Sequence, residues 1–114
     1  MDIEKVRNHC RKKAGVTEEF PFGEETLVFK VMGKMFCLAN LNSAASINLK
    51  CDPELAVELR EKYDAVTPGY HMNKVHWNTV ELDGSVKDKL IFDWIDHSYE
   101  LVVQSLSKKS KTKL

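Results

Sequence analysis

The 114-residue sequence lacks several features that would assign it to a class at once. Its three cysteines, Cys10, Cys37 and Cys51, are odd in number and form no C-x-x-C pair, so we expect a reducing compartment and no disulfide framework. The chain begins Met-Asp-Ile-Glu, without the basic and apolar segments of a secretory signal. No apolar run approaches the ~20 residues of a membrane span. These absences predict a cytoplasmic protein without a membrane partner.

Signatures of catalysis and cofactor binding are missing as well. The sequence has no glycine-rich phosphate loop, no G-x-S-x-G segment and no paired-acid pattern. Cys51 is the one mild candidate for a nucleophile, because a helix N-terminus lowers the pKa of a thiol. His71 and His76 are five residues apart, and strand residues at that spacing point to opposite faces. We therefore expect no metal, no cofactor and no enzymatic activity.

Charge is balanced overall but unevenly distributed. The chain has 17 basic and 17 acidic residues, and its last ten residues hold four lysines and no acid. Residues 1–107 thus carry 13 basic and 17 acidic groups, a net charge of −4. A domain with this net charge binds nucleic-acid phosphates weakly unless its lysines cluster on one face. We expect a single domain over residues 1–106 and a mobile lysine-rich tail over residues 107–114.

Hydrophobic periodicity divides the domain into helices and strands in the order α-β-β-β-α-(β)-β-α. Asp2 and Asp52 are typical N-caps, and Ser85 with Asp88 resembles a capping box, so three helices are expected. Alternation predicts four strands and a brief fifth, at residues 26–32, 35–41, 46–50, 75–82 and 66–67. The predicted class is α+β, a two-layer sandwich in which an antiparallel sheet of four to five strands packs on the helices.

The segment before the first predicted strand is interpreted as a loop. Phe20 and Phe22 flank a proline there and are expected to plug the end of the core. Charge runs are usually solvated edges, and the same segment carries four glutamates: Glu18, Glu19, Glu24 and Glu25.

The stretch PGYHMNKVHWNTV, residues 68–80, combines aromatic, amide and basic side chains at an unusual density. So many polar and aromatic side chains can hardly all be internal, and they predict a contact surface. Taken singly, each of these side chains also has a purely structural explanation. Trp77 would pack on a helix, and the asparagines would hydrogen-bond to the backbone of turns. Together with lysines from the preceding strands, the candidate binding residues are Lys34, Lys50, Tyr70, His71, Asn73, Lys74, His76 and Trp77.

Four segments, taken together, resemble the YjbR/MmcQ family of small bacterial proteins. They are EEFPFGEETLVFKVMGKMF, INLKCDPELAVELR, VTPGYHMNKVHWNTVELDG and IDHSYELV, and the resemblance covers about residues 3–106. It implies a compact α+β fold similar to the CyaY (frataxin-like) or secretion-chaperone-like arrangement. It also implies that two loop wings bind DNA, which here would be the Gly33-Lys34 hairpin tip and the Tyr70–Lys74 loop.

Two hypotheses for function follow. In the first, the protein is a non-enzymatic binding module that contacts DNA through the wings, with Lys74 on a phosphate and Trp77 stacked on a base. In the second, it is a protein- or peptide-binding adaptor whose anchor patch is formed by Tyr70, Met72 and Trp77.

Overall fold

The computed structural model describes residues 1–42, 44–70 and 72–114. Its elements are α1 (Ile3–Arg11), β1 (Val16–Glu19), β2 (Thr26–Val31), β3 (Lys34–Asn40), β4 (Ser46–Lys50), α2 (Pro53–Lys62), β5 (Val66–Pro68), β6 (Trp77–Glu81), α3 (Asp88–Gln104) and α4 (Lys108–Lys111). The strands form one antiparallel sheet in the order β1-β2-β3-β4-β6-β5. The predicted α+β class is confirmed.

Two helices begin where their sequence signals predict, and one does not. The Asp2 carboxylate accepts from the Lys5 N–H at 2.8 Å, and the Asp52 carboxylate accepts from the Leu55 N–H at 3.2 Å. The capping box at Ser85 is wrong, because both the N–H and the hydroxyl of Ser85 donate to Asp83, at 2.9 and 2.6 Å. This local turn uses the side chain that would have capped α3, which begins without a side-chain cap.

The helices cover one face of the sheet. Strand alternation sends apolar side chains such as Phe29, Ile47 and Val80 to that face, where all three are almost fully buried. Helix α3 packs on β3 and β4, α1 packs beside it near β1, and α2 packs on β5. The core therefore lies in a single layer between the sheet and the helices. In the described parts of the chain, no helix is long and apolar enough to cross a membrane.

Strand β1 falls in the segment expected to be a loop, so the sheet has six strands rather than four or five. Its two glutamates are tolerated because each is paired with a cation. Glu18 accepts from the Arg7 guanidinium at 2.7 and 3.1 Å, which lowers the pKa of that carboxyl, and Glu19 lies 2.6 Å from the Lys30 amine. Charged residues are common on edge strands, where they discourage pairing with other chains.

The structure also differs from the sequence expectations in the loop of Phe20 and Phe22 and at the C-terminus. Phe20 and Phe22 do not plug the core, because 53% and 64% of their surfaces are exposed. Their loop follows the edge strand, so its side chains lie outside the layer that the helices bury. Within the predicted tail, Ser107 caps the short helix α4, a fourth helix where three were expected. The mobility of the tail stays a prediction.

One buried hydroxyl joins α3 to two strands. Ser98 is fully buried, and its Oγ donates to the Phe36 carbonyl at 2.5 Å while accepting from the Lys50 N–H at 2.9 Å. The ladder between β2 and β3 shifts register between Phe29 and Lys30, opposite this point. Phe36 is the residue that this shift leaves without a partner on β2, and the pairing of β3 with β4 ends one residue before Lys50, so Ser98 satisfies one backbone group at each irregularity.

We expect Ser98→Ala to lower the free energy of unfolding by about 1–3 kcal/mol, because it leaves a buried N–H and a buried carbonyl without their partner. Urea denaturation followed by circular dichroism would measure this. Ser105→Ala is the matched control, since Ser105 is exposed at the end of the same helix and water can replace the hydrogen bonds of its hydroxyl. It should change stability by no more than about 0.5 kcal/mol. Equal midpoints for the two variants would contradict a structural role for the Ser98 hydroxyl.

Candidate binding site

The face of the sheet opposite the helices carries a second set of side chains. One row of register partners crosses it through Val28, Leu38, Asn48 and Thr79. The adjacent row runs through Thr26, Asn40, Ser46 and Glu81. We call this surface the helix-free face. Its centre is rich in amide and hydroxyl side chains rather than in charges.

A groove of about 500 Å³ lies on the helix-free face. Its apolar lining comes from Phe22, Leu38, Tyr70 and Met72. The uncharged polar lining is formed by Thr26, Asn40, Asn42, Ser46, Asn48 and Thr79. Glu25 completes the lining, which includes no lysine or arginine among the described residues. The volume falls within the range of ligand pockets, roughly 300–1,000 Å³.

Thr79 fixes one wall of the groove. Its hydroxyl accepts from the Tyr70 N–H at 2.9 Å and donates to the Asn48 side-chain oxygen at 2.5 Å. The backbone at Tyr70 is therefore held against the sheet while 69% of the residue's surface is exposed. An aromatic side chain placed on a fixed backbone in this way loses little further backbone entropy when it contacts a ligand.

Arg60 of α2 anchors the rest of the loop between β5 and β6. Its guanidinium donates to the Asn78 side-chain oxygen at 2.7 Å, to the Trp77 carbonyl at 3.2 Å and to the Lys74 carbonyl. Asn78 is buried and also donates to the Ala56 carbonyl at 3.3 Å. This loop is thus held from the helix side by a cation and from the helix-free side by a hydroxyl.

The structure brings only part of the predicted site together. Tyr70 lines the groove, and so does Met72, named with it in the peptide hypothesis. The Asn73 side chain is occupied locally, because its oxygen accepts from the N–H groups of Val75 at 2.9 Å and His76 at 3.3 Å. His71 lies outside the described residues.

The predicted lysines do not line the groove. The Lys34 amine donates to the Ser105 carbonyl at 3.1 Å, at the C-terminal end of α3. Lys50 lies opposite the half-buried Trp77 across the β4–β6 ladder, on the helix-free face but beyond the groove. Lys74 and His76 are exposed, and the His76 carbonyl accepts from the Cys51 N–H at 2.7 Å.

Sequence reasoning missed most of the groove, including Phe22, Glu25, Ser46 and Asn48. The pattern of β4 held a usable signal, because Ser46 and Asn48 occupy outward positions where a solvated strand more often carries charge. Phe22 and Glu25 gave no comparable signal, since they reach the groove only through the path of the loop before β2.

Cys51 does not have the properties of a nucleophile. Burial, with the nearby Asp52 carboxylate, raises the pKa of its thiol to about 11. These two effects outweigh the lowering of the thiol pKa that the helix N-terminus was expected to cause, so the thiolate is scarce at neutral pH. Among the residues that the structure describes, no group of three or more histidine, cysteine or acidic side chains could hold a metal ion.

Comparison with known proteins places the chain in a family. The YjbR family model matches residues 11–101. The chain belongs to the YjbR family. It is 32% identical over 112 residues to the uncharacterized protein YjbR of Escherichia coli K12, covering 97% of this chain and 95% of the relative. It is 40% identical over 96 residues to the uncharacterized protein YbdF of Escherichia coli O157:H7, covering 83% and 79%.

Solved structures confirm the fold of this YjbR-family chain. A crystal structure of a Deinococcus radiodurans protein with a DUF419 domain superposes with a TM-score of 0.91 at 37% identity, over 97% of this chain and 86% of the other. A Pseudomonas syringae protein superposes with a TM-score of 0.78 at 30% identity, over 89% of this chain and 98% of the other.

We expect Thr79→Val to loosen the Tyr70 wall of the groove, because valine keeps the shape but removes the acceptor for the Tyr70 N–H. Hydrogen exchange of the Tyr70 amide should accelerate by about tenfold, the equivalent of one ordinary hydrogen bond. Thr79→Ser keeps the hydroxyl and is the control. Equal exchange rates in the two variants would show that another contact holds Tyr70.

Proposed function

We propose that this protein is a cytoplasmic binding module that holds an extended polypeptide segment in the groove of its helix-free face. The observation that carries the proposal is the lining itself, in which apolar side chains border a floor of amide and hydroxyl groups and no cation takes part among the described residues. The proposal develops the second of the two sequence hypotheses and replaces Trp77 by Phe22 in the apolar lining.

The floor of the groove has the chemistry that an extended polypeptide requires. A side-chain amide has one oxygen acceptor and two N–H donors, and its donors match the C=O of a peptide unit. Asn40 and Asn48 present amides on the strands between the loops that carry Phe22 and Tyr70, and their oxygens already accept from the Asn42 N–H and the Thr79 hydroxyl, so their N–H groups would donate to the ligand. Apolar side chains of the ligand would contact these two aromatic rings, and aromatic residues are the commonest anchors at protein interfaces.

Electrostatics favours a peptide over nucleic acid in the groove. Affinity for a phosphate backbone comes from lysine and arginine side chains, and the lining offers instead the Glu25 carboxylate. Lys34, the cation of the first predicted wing, is already bonded to the end of α3. A polyanion entering the groove would meet charge of its own sign.

DNA is the second candidate, at a different place. Lys50 and Trp77 are cross-strand partners, and Lys74 is exposed in the loop that leads into Trp77. Lys50 ends β4 and Trp77 begins β6, and a cation beside an aromatic ring is a common element of surfaces that bind single-stranded nucleic acid. This candidate site uses Lys74 of the second wing predicted from the sequence, the Tyr70–Lys74 loop. Its cations and Trp77 lie outside the groove.

The proposal predicts that a displayed library of random twelve-residue peptides yields binders, and that Phe22→Ala with Met72→Ala weakens them. Losing two apolar anchors should lower affinity by at least about tenfold, as truncation of interface hot spots does. Fluorescence anisotropy of a synthetic selected peptide would measure this. Val57→Ala, at an exposed apolar position on α2, is the control and should leave affinity unchanged.

A labelled DNA duplex is measured in parallel from ~50 to ~200 mM salt, with Lys50→Glu and Lys74→Glu as the variants. Absence of peptide binders, together with a steep salt dependence that these two variants abolish, would overturn the proposal in favour of DNA. Peptides that bind equally well to the Phe22/Met72 variant would overturn the groove as their site.

A further inference from the structure

The helix-free face carries two uncompensated acids: Glu25, at the β2 end of the groove lining, and Glu81, which lies on β6 outside the lining. Glu25 directly precedes Thr26, the first member of the row that ends at Glu81. No cation lies within 4 Å of either carboxylate in the described part of the chain. The acids of β1, in contrast, are neutralised by Arg7 and Lys30.

The Glu25 carboxylate is held in place at this end. With its nitrogen turned towards Glu25, the Asn42 side-chain amide lies 3.1 and 3.2 Å from the two carboxylate oxygens. The Glu25 carbonyl also accepts from the Leu41 N–H at 2.8 Å, which ties the loop to the end of β3. A carboxylate fixed by a neutral donor keeps its charge available to a ligand.

Ser46 provides a second, independent observation. Only 6% of its surface is exposed, it lines the groove, and its hydroxyl has no hydrogen-bond partner in the ranges that the structure describes. Among the described residues, no buried side-chain nitrogen or oxygen lacks a partner, so the Ser46 hydroxyl itself is accessible, and a hydroxyl held in the lining of a groove is suited to bond a ligand. Ser46 lies on β4, two strands from the β2 end where Glu25 lies, so its hydroxyl would accept from an N–H group that the ligand holds further along the groove.

Phe22 adds a flat apolar surface at the Glu25 end of the groove. It lies three residues before Glu25 in the same loop, lines the groove and is 64% exposed. A ring face beside a carboxylate suits a planar cation, which can stack on the ring while donating two parallel hydrogen bonds to the acid. Guanidinium satisfies both requirements, whereas an ammonium group cannot stack or form the paired bonds.

We infer that the polypeptide bound in the groove presents an arginine side chain to Glu25, beside Phe22. This inference rests on the proposed function and specifies its ligand. The arginine stacks on Phe22 and donates to both oxygens of Glu25, while the Ser46 hydroxyl, two strands further along the groove, accepts from another N–H of the ligand. Glu81, on the same row, adds to the negative potential without touching the guanidinium.

The test uses one peptide selected from the library, made with arginine, lysine or citrulline at its basic position. Citrulline keeps the planar shape and removes the charge. We expect replacement of arginine by citrulline to weaken binding about tenfold or more, the loss of a charged hydrogen bond, and lysine to be intermediate. In Glu25→Gln, the three peptides should bind with nearly equal affinity, because the charge they distinguish is gone.

Glu24→Gln is the matched control, since Glu24 is exposed in the same loop but does not line the groove, and it should keep the preference for arginine. A peptide with glutamate at the basic position should regain affinity for Glu25→Lys. Binders without an enriched basic residue, or a preference that Glu25→Gln leaves intact, would overturn this inference while the groove remains a peptide site. Absence of any groove-dependent binder would overturn the proposed function itself.

Discussion

One-sided burial is the constraint on which the rest of this structure depends. The helices cover only one face of the sheet, and strand β4 shows the consequence most clearly, since its apolar Ile47 and Leu49 face the helices while its polar residues face the other side. The single layer of core under the helices includes Phe29, Ile47 and Val80. The opposite face must then be satisfied by water, by loops or by a ligand. The groove exists because two loops, the ones that carry Phe22 and Tyr70, border this face without closing it.

The same constraint links the groove to the core through a few polar side chains. Asn78 and Thr79 are neighbours on β6 and point to opposite faces of the sheet. The Asn78 side-chain oxygen accepts a hydrogen bond from Arg60 on the helix side. The Thr79 hydroxyl accepts one from the Tyr70 N–H on the other side. One strand therefore positions the β5–β6 loop from both faces, and its position depends on the packing of α2. A ligand that bound this loop only in the native state would raise the free energy of unfolding by an amount set by its concentration and dissociation constant.

The sequence predicted what depends on local pattern. Alternation correctly assigned Ile47 and Leu49 to the core and Asn48 and Lys50 to the other face, and Asp2 and Asp52 marked two helix starts. It could not predict what depends on register and loop path. Edge strand β1 was missed because its acids are stabilised by ion pairs to residues distant in sequence. The sequence hypothesis placed Lys34 and Tyr70 on one binding surface, but in the structure they bond to different partners. The Lys34 amine donates to the end of α3, and the Tyr70 N–H donates to Thr79.

The proposed function accounts for two exposed aromatic rings that the packing of the fold does not require. A single exposed phenylalanine is common in soluble proteins and has no special meaning. Here Phe22 and Tyr70, each more than half exposed, converge on one groove with Leu38 and Met72, although burying such rings would stabilise the fold by about 1.5–3 kcal/mol each. The floor between them is polar and uncharged, so the surface offers apolar contacts and hydrogen bonds together. That combination suits a polypeptide, whose side chains and main chain require both, and gives no advantage with a polyanion.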